Sequence, residues 1–270
     1  MQSILYLTDS SLDPHIADLC QRVLVREAGD VPIISVSQEP LDFGENVCVG
    51  KIGRSWKSLY TQMLAGLECI DTDWVTIAEH DVLYTSEHLN HEPDDSTVFH
   101  YNANCWLVVG PGGNHPELYG MYSYWPKRYA LSQLIAPRQL LHDSTAEILG
   151  LIDAGLKLER GMRWYGEPGV IEGRLKRAAI AACSGRPTQL QQYLRDYVTR
   201  YNHKVFKTKL PNVDIRHGTN FTGPKRGKKR RYEIPHWGRF EDLLKENRVR
   251  LAKTTMGTDK EMVRDRTSGD

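Results

Sequence analysis

The most chemically distinctive part of the sequence is the tripeptide Glu79-His80-Asp81, which directly follows the apolar residues 74–78 (WVTIA). A strand end that only has to turn more often uses Gly, Asn or Ser. In an extended chain, residues two apart point to the same side, so Glu79 and Asp81 are expected to face one way, with His80 turned aside. Two carboxylates at one point suit Mg²⁺ or Mn²⁺, and such ions usually complete their coordination with substrate phosphates. The tripeptide therefore predicts a divalent metal site; the alternative is a solvated acidic loop.

The residues before this tripeptide predict two strand–helix units that would position it. Three apolar runs are typical of short buried strands, at residues 3–8, 32–37 and 74–78. The first intervening helix is expected to begin after Asp13, with Pro14 in its first turn, and to end at Gly29. The second is indicated by the helical spacing of Trp56, Leu59, Tyr60, Met63, Leu64 and Leu67. Alternating strands and helices predict a parallel sheet with right-handed crossovers.

Polar residues follow each predicted strand, at the edge where parallel sheets bind ligands. They are Thr8 and Asp9 after the first strand, Ser37 at the end of the second and Glu79-His80-Asp81 after the third. Arg54 lies just ahead of the second helix, in the loop GKIGRS. This loop has neither the number nor the spacing of glycines of a P-loop or a dinucleotide fingerprint. The pattern therefore predicts a binding crevice unlike those of kinases and dehydrogenases.

After Asp81 the pattern changes to one that is typical of a mixed sheet. Strands are expected at residues 98–102 and 104–109, followed by a turn-rich segment and the aromatic run GMYSYWP. Helices are expected over residues 137–159 and 188–203, and the tail from Arg250 onward has no apolar period. The whole chain is therefore predicted to be α/β, with a Rossmann-like mixed central sheet flanked by helices.

Composition limits the class of protein. The chain has 270 residues, of which 40% are hydrophobic and 26% charged, as in an ordinary soluble globular protein. The net charge of +1 gives no global attraction to polyanions, so any basic surface must be local. The five cysteines are scattered, which argues against a disulfide framework and suits a reducing compartment. Without a signal-like start or an apolar run of about 20 residues, we expect a cytoplasmic protein with no membrane partner.

The order of these features resembles that of glycosyltransferases with the GT-A fold, especially their family 2-like members. The runs ILYLTDSSLDPHI and WVTIAEHDVLY are also similar to uncharacterised glycosyltransferase-like proteins of phages, and the resemblance spans roughly residues 3–222. Those enzymes usually place Asp-x-Asp at the end of a central strand, where it holds a divalent metal and the diphosphate of a nucleotide sugar. This chain has Glu-His-Asp instead, so that Asp81 corresponds to the last carboxylate and Glu79 to the first.

The resemblance implies a role for several further residues. Asp81, Glu79 and His217 would be ligands of Mn²⁺ or Mg²⁺, with Asp81 also counted as catalytic. Contacts with the donor, a UDP-sugar first of all, are expected from Thr8, Asp9, Ser37, Arg54 and Glu79. In an inverting enzyme, Glu167 would be the general base. The alternatives stay open: His217 as a loop histidine satisfied by hydrogen bonds, Asp214 in its place, and Glu167 in a salt bridge with Arg163 or a lysine.

Two segments are candidates for the acceptor side. Aromatic rings stack on sugars and unpaired bases, and the candidates are Tyr122, Tyr124 and Trp125. The run PKRGKKRR can contact phosphate backbones through Lys225, Arg226, Lys228, Lys229, Arg230 and Arg231. The alternatives are a core-filling strand and a solvated basic loop. With the phage resemblance, the first acceptor to test is DNA with hydroxymethylated pyrimidines; a polysaccharide or lipid acceptor is the rival.

We therefore expect a GT-A-like domain over residues 1–222, followed by a basic extension of helix and loop over residues 223–270. Residues 1–110 would form its nucleotide-sugar-binding half and residues 111–222 its acceptor half. A metal-dependent nuclease or phosphoesterase is the alternative enzyme, and a nucleic-acid-binding module is the alternative without catalysis. The sugar, the stereochemical outcome and the oligomeric state stay open.

Overall fold

Two β-sheets and the helices packed on them form the framework of the chain. The structure is a computed structural model, which describes residues 1–125, 129–153, 167–170, 192, 193, 196, 199–220 and 228–250. In chain order the described strands are β1 (Gln2–Leu7), β2 (Ile33–Ser37), β3 (Glu45–Cys48), β4 (Trp74–Glu79), β5 (Val82–Leu83), β6 (Phe99–Asn102), β7 (Cys105–Val109), β8 (Tyr122–Tyr124), β9 (Leu134–Pro137), β10 (His203–Phe206), β11 (Asn212–Arg216), β12 (Lys228–Arg231), β13 (Glu233–Ile234) and β14 (Gly238–Arg239). The helices are α1 (Pro14–Ala28), α2 (Trp56–Glu68), the single turn α3 (Ser86–Leu89), α4 (Arg138–Asp153) and a C-terminal helix over residues 240–250.

The larger sheet has seven strands in the order β10-β6-β9-β4-β1-β2-β3. Strands β4, β1, β2 and β3 are parallel, and β9 is inserted antiparallel between β4 and β6. Because Leu7 of β1 lies opposite Glu79 of β4, the two strands end side by side. The residues that follow them therefore meet at one edge of the sheet.

The smaller sheet has five strands in the order β12-β8-β7-β11-β5. Its β5 comes directly after Asp81, and its β11 leads directly into His217. The two strands pair antiparallel, and the Ile215 amide donates to the Asp81 carbonyl at 2.8 Å. This pairing brings residues that are far apart in sequence to the same point.

Local sequence signals fix α1 and α2, the two helices that pack on opposite faces of the larger sheet. The Asp13 carboxylate caps α1 by accepting hydrogen bonds from the next amides, Pro14 occupies its first turn, and Gly29 follows its end with φ of +60°. The Ser55 hydroxyl accepts from the Ser58 amide at the start of α2. Helix α1 begins and ends as the sequence predicts, and α2 spans the residues with the predicted helical spacing.

The apolar core has one part on each side of the larger sheet. On one face, Leu5 of β1 and Ile77 of β4 pack with Met63 of α2. On the other face, α1 packs on β1, and it also shares a buried cluster with the smaller sheet and with Trp237 and Phe240 near the C-terminus. Helix α1 therefore lies between the two sheets. Within the described part of the chain, no helix combines the length and the hydropathy that crossing a bilayer needs.

The predicted fold class is confirmed: a Rossmann-like α/β arrangement with a mixed central sheet flanked by helices. Several described strands were not predicted, among them β3, which lies in a loop-like sequence, and β9 and β10, which are only four residues long. The helix predicted over residues 188–203 is wrong at its end, since His203 opens β10. The proposed boundary at residue 222 falls outside the described residues and stays a prediction.

Candidate active site

A cleft with a volume of about 160 Å³ opens where β1 and β4 end. Most of the residues predicted to be catalytic, donor-binding or metal-binding line it: Thr8, Asp9, Arg54, Glu79, Asp81, Glu167 and His217, together with Asp214. They come from the ends of β1, β4 and β11, from the loop before α2 and from the described segment 167–170. The strand pairings thus bring residues that are up to about 200 positions apart in sequence into one place.

Asp81 and two histidines form a compact group in the lining of the cleft. The side chains of His80, Asp81 and His217 can each offer one ligand atom, and these three atoms lie within 4.8 Å of one another. Asp81 Oδ2 accepts hydrogen bonds from Asn220 Nδ2 at 2.8 Å and from His217 Nε2 at 3.2 Å. Among the residues that the structure describes, no other group of three such side chains is close enough to hold a metal ion. The donor types, imidazole nitrogen and carboxylate oxygen, fit a divalent cation.

His80 faces the cleft, although strand alternation predicted that it would turn aside. The strand β4 ends at Glu79, and His80 and Asp81 belong to the turn that follows, so the alternation no longer applies. Thr8 Oγ1 lies 2.8 Å from His80 Nδ1. Burial lowers the pKa of His80, and the nearby carboxylates of Asp81 and Asp9 oppose this shift without reversing it. The ring is therefore neutral at pH 7, which is the form that binds metals.

Glu79 lines the cleft but is not a member of the metal-binding group. The expected pairing of Glu79 with Asp81 as ligands is therefore not what the structure shows. Glu79 is still the last residue of β4, opposite Leu7 of β1, whereas Asp81 lies beyond the turn. Its predicted contact with the donor stays a prediction.

Asp9 and Arg54 form an ion pair on the wall of the cleft beside His80. The Asp9 carboxylate also accepts hydrogen bonds from the Ser11 amide at 3.0 Å and the Ser11 hydroxyl at 2.6 Å. Burial raises the pKa of Asp9, but the Ser11 hydrogen bonds and the charges of His80 and Arg54 outweigh burial and lower it. Arg54 also donates to the Thr219 carbonyl, so it connects the end of β1 to the loop that follows His217.

Glu167 reaches the cleft from a segment that is tied to the larger sheet. The Tyr101 hydroxyl of β6 donates to the Pro168 carbonyl at 2.7 Å, and His203 Nδ1 donates to the Gly169 carbonyl at 3.0 Å. These contacts hold residue 167 in the lining of the cleft, on the same side of the sheet as α2 and α4. Arg163, the alternative partner of Glu167, lies outside the described residues. The role of Glu167 as a base stays a prediction.

Two predicted site residues are buried away from the cleft. Ser37 is fully buried, and its hydroxyl donates to the Glu39 carbonyl at 2.6 Å, so it cannot contact a donor in the cleft. Tyr122 is fully buried in the core beside α1, so its ring cannot be part of a stacking platform. On the same strand, Tyr124 is half-buried with its ring 5.5 Å from that of Trp106, and Trp125 is also half-buried. Neither Tyr124 nor Trp125 lines the cleft.

The basic run forms an edge strand rather than a wall of the cleft. Residues Lys228–Arg231 pair antiparallel with β8, and Lys229, Arg230 and Arg231 are exposed. None of these described residues lines the cleft, although the short distance from His217 in sequence predicted that they would lie near it. Lys225 and Arg226 lie outside the described residues.

No protein-family model matches the chain, and no curated protein matches it. Among solved structures it is similar to a glycosyltransferase involved in the glycosylation of the major capsid of PBCV-1, with 10% identity, a TM-score of 0.36 and coverage of 76% of this chain and 81% of that chain. It is also similar to 2-C-methyl-D-erythritol 4-phosphate cytidylyltransferase from Thermus thermophilus, with 11% identity, a TM-score of 0.36 and coverage of 77% and 88%. The third likeness is to S. aureus TarS in complex with UDP-GlcNAc, with 10% identity, a TM-score of 0.35 and coverage of 80% of this chain and 58% of that one. Likenesses of this size do not assign an activity to the chain.

Three side-chain amides of the cleft were not singled out in the sequence. Both ends of the Gln38 amide bond to the Gly53 backbone, at 2.7 and 3.1 Å, which fastens the loop of Arg54 to the end of β2. Gln62 of α2 donates to the Thr8 carbonyl at 2.7 Å. Asn220 holds Asp81, as described above. Each amide binds a partner that is at least 15 residues away, so no local pattern marks it.

Proposed function

We propose that the protein is a metal-dependent glycosyltransferase that moves a sugar from a nucleotide-sugar donor, a UDP-sugar in the first instance, to a hydroxyl group. The observation that carries this proposal is the meeting, in one cleft, of an ion pair at the end of β1 with the group His80, Asp81 and His217. Transfer from a nucleotide sugar needs both a nucleoside contact and a counter-charge for the departing diphosphate. Residues suited to contact the nucleoside and residues suited to hold a cation beside the diphosphate line the same cleft.

The donor would lie along the ends of β1 and β4. The Asp9 carboxylate is an acceptor for ribose hydroxyls or a base N–H, and it is ionised at neutral pH because its pKa is lowered. Arg54 is 38% exposed and carries the positive charge closest to Asp9, so its guanidinium is placed to pair with a phosphate. Trp56 and Leu59 of α2 give the cleft an apolar wall beside them.

Asp81 and His217 would hold the divalent cation, Mn²⁺ or Mg²⁺. When bound there, the ion supplies positive charge for the diphosphate that leaves. The chain keeps both ligands in place: Asn220 donates to the Asp81 carboxylate, and the Thr219 hydroxyl lies 2.9 Å from His217 Nδ1. Asp81 is thus held from the 217–220 loop, which closes one side of the cleft.

Glu167 would accept the proton of the attacking hydroxyl in an inverting transfer. It lies in the lining of the same cleft as Asp81, which supports this role. In a retaining enzyme it would not have this role.

For the acceptor, DNA with hydroxymethylated pyrimidines is our first choice. Exposed Lys229, Arg230 and Arg231 give one edge of the smaller sheet a local positive charge in a chain of net charge +1. Such a strand can contact a phosphate backbone, with an affinity that falls as salt rises. A polysaccharide or lipid hydroxyl remains the alternative acceptor.

The proposal is tested by the hydrolysis and transfer of a panel of UDP-sugars with Mn²⁺, with hydroxymethylated and plain oligonucleotides as acceptors. Replacement Asp81→Asn should abolish turnover of the sugar nucleotide that the native protein uses. The control Asp71→Asn changes an exposed carboxylate near the opposite end of β4 and should leave turnover unchanged.

Two results would contradict the proposal. One is that no sugar nucleotide is bound or turned over by the native protein at any Mn²⁺ concentration. The other is cleavage of DNA without a sugar nucleotide, which would support the nuclease or phosphoesterase alternative instead.

A further inference from the structure

We infer that His80 is itself a metal ligand, so that the cleft holds its divalent cation through two imidazoles and one carboxylate and prefers a transition metal to Mg²⁺. The inference rests on the proposed function in one respect, since both need a cation beside Asp81. It goes beyond it by naming a third ligand from the middle of the acidic tripeptide and by naming the class of ion.

The first support is the arrangement of the three side chains. One potential ligand atom from each of His80, Asp81 and His217 lies within 4.8 Å of the others, which is the spacing of donors that surround one ion. The side chains of these residues are 13%, 13% and 4% exposed, so the group is shielded from water on most sides. Glu79, which would have supplied a second carboxylate, is outside the group.

The second support is the hydroxyl that orients the ring of His80, with a second hydroxyl beside His217. Thr8 Oγ1 lies 2.8 Å from Nδ1 of His80, and Thr219 Oγ1 lies 2.9 Å from Nδ1 of His217. The Thr8 hydroxyl can accept the Nδ1–H proton of His80, which leaves the lone pair on Nε2 of that ring for a metal. Ligating histidines are usually oriented in this way by a hydrogen bond from the other ring nitrogen. Nδ1 of His217 also accepts from the Thr219 amide at 3.3 Å. A further carboxylate oxygen, Asp9 Oδ1, lies 3.8 Å from Nδ1 of His80.

The class of ion follows from the chemistry of the donors. Imidazole nitrogen suits Zn²⁺, Co²⁺ and related ions, whereas Mg²⁺ prefers carboxylate, carbonyl and water oxygens. Two imidazoles with a single carboxylate therefore favour Co²⁺, Zn²⁺ or Mn²⁺ over Mg²⁺. The acidic tripeptide indicated Mg²⁺ or Mn²⁺, and of these two ions this ligand set favours Mn²⁺.

The alternative is that the group is a hydrogen-bonded network that needs no ion. The hydrogen bond from His217 Nε2 to Asp81 and the contact of Thr8 with His80 would then be its final state. The two alternatives differ in what His80 does: as a ligand it contributes to metal affinity, and as a network member it contributes only to stability.

The test is direct metal binding to the full chain, measured by calorimetry with Co²⁺, Mn²⁺ and Mg²⁺ after treatment with a chelator and without any sugar nucleotide. We expect Co²⁺ to bind at least about tenfold more tightly than Mg²⁺. In His80→Gln, which keeps a polar side chain of similar length, Co²⁺ binding should weaken at least about tenfold and the visible absorption of bound Co²⁺ should change. The matched control is His15→Gln, which changes an exposed histidine on α1 and should leave both unchanged.

A second variant guards against a folding defect in the first. Thr8→Val keeps the shape of the side chain but removes the hydroxyl that orients His80, and it should weaken Co²⁺ binding about tenfold. Thermal melting of each variant without metal shows whether it is folded.

The outcomes separate this inference from the proposed function. Co²⁺ binding that His80→Gln and Thr8→Val leave unchanged, or tightest binding of Mg²⁺, would overturn the inference even if sugar transfer is found. If Co²⁺ binds as expected and no sugar nucleotide is turned over, the metal site stands and the proposed function fails.

Discussion

At the scale of single residues, Asp9 is the carboxylate whose ionisation is most clearly tied to the folded cleft. Its partners Ser11, His80 and Arg54 lower its pKa despite burial. A carboxyl group whose pKa is lower in the folded protein stabilises the fold above its unfolded pKa of about 3.9, and this stabilisation is lost as the pH falls through the folded pKa. We therefore expect Asp9→Asn to lower the free energy of unfolding by about 1 kcal/mol at pH 7, and this loss should shrink below about pH 4.

Urea unfolding at a series of pH values between 7 and 3 measures this difference. The control is Asp30→Asn, since Asp30 is exposed just beyond the end of α1 and its replacement should have a small effect that does not depend on pH. A loss in Asp9→Asn that is the same at every pH would show that the ionised carboxylate is not the source of the stability.

The same scale shows how far the sequence alone could identify the site. Thr8, Asp9 and Asp81 were identified because residue type and position after a strand are local properties of the sequence, whereas His217 was implied by the resemblance alone. The placement of His80 was wrong because alternation holds only while the strand continues, and β4 ends one residue before it. Ser37 also sits at a strand end, but the nearby Glu39 carbonyl takes its hydroxyl, a contact that the strand pattern does not encode.

At the scale of elements, the loop before α2 is fastened to the end of β2 by the side chain of Gln38. Gln38 follows β2, is 6% exposed and bonds both backbone groups of Gly53. This contact fixes the loop next to Arg54, whose guanidinium spans the cleft to the Thr219 carbonyl. Gln38→Ala should lower the free energy of unfolding by about 1–2 kcal/mol and speed amide hydrogen exchange at Gly53. Because the loop then moves more freely, the affinity for the donor sugar nucleotide should fall several-fold.

Amide hydrogen exchange at Gly53 is measured by NMR, and the affinity for the donor sugar nucleotide is measured by calorimetry. The matched control is Gln139→Ala, because Gln139 is exposed on α4 and bonds only locally, to Asp143. Unchanged exchange at Gly53 in Gln38→Ala would mean that the loop is held by other contacts.

Helices and strands could be predicted where residues close in sequence mark their ends. Strands that form only by pairing with strands far away in sequence were missed. Helix α1 carries its boundaries in Asp13, Pro14 and Gly29, so it could be placed from the sequence. The four residues of β9 contain no such signal, and their strand exists because β4 and β6 pair with them from both sides. The same is true of β10, which pairs with β6 across about a hundred residues of sequence.

At the scale of the whole molecule, residues near the C-terminus belong to the core that supports the metal-binding group. Phe240 is fully buried in one cluster with Ile16 of α1 and with Val213 and Ile215 of β11, the strand that leads into His217. A side chain in place of Gly110 would lie 2.9 Å from Ile215 and 3.5 Å from Phe240, so packing there is tight. Residues 234–247 of the predicted extension therefore pack as part of the smaller sheet's core.

Phe240→Ala tests this dependence. Removing a fully buried ring should lower the free energy of unfolding by about 3–5 kcal/mol, through lost burial and the cavity left behind. Because β11 packs on this ring, the loss should appear in the single unfolding transition of the whole chain, not as melting of a separate C-terminal part. The control Tyr232→Ala removes a ring that is 62% exposed in the same segment and should change the free energy by no more than about 0.5 kcal/mol. Urea unfolding of both variants measures this difference. A loss of less than about 1 kcal/mol in Phe240→Ala would show that the smaller sheet is stable without the packing of residues 234–247.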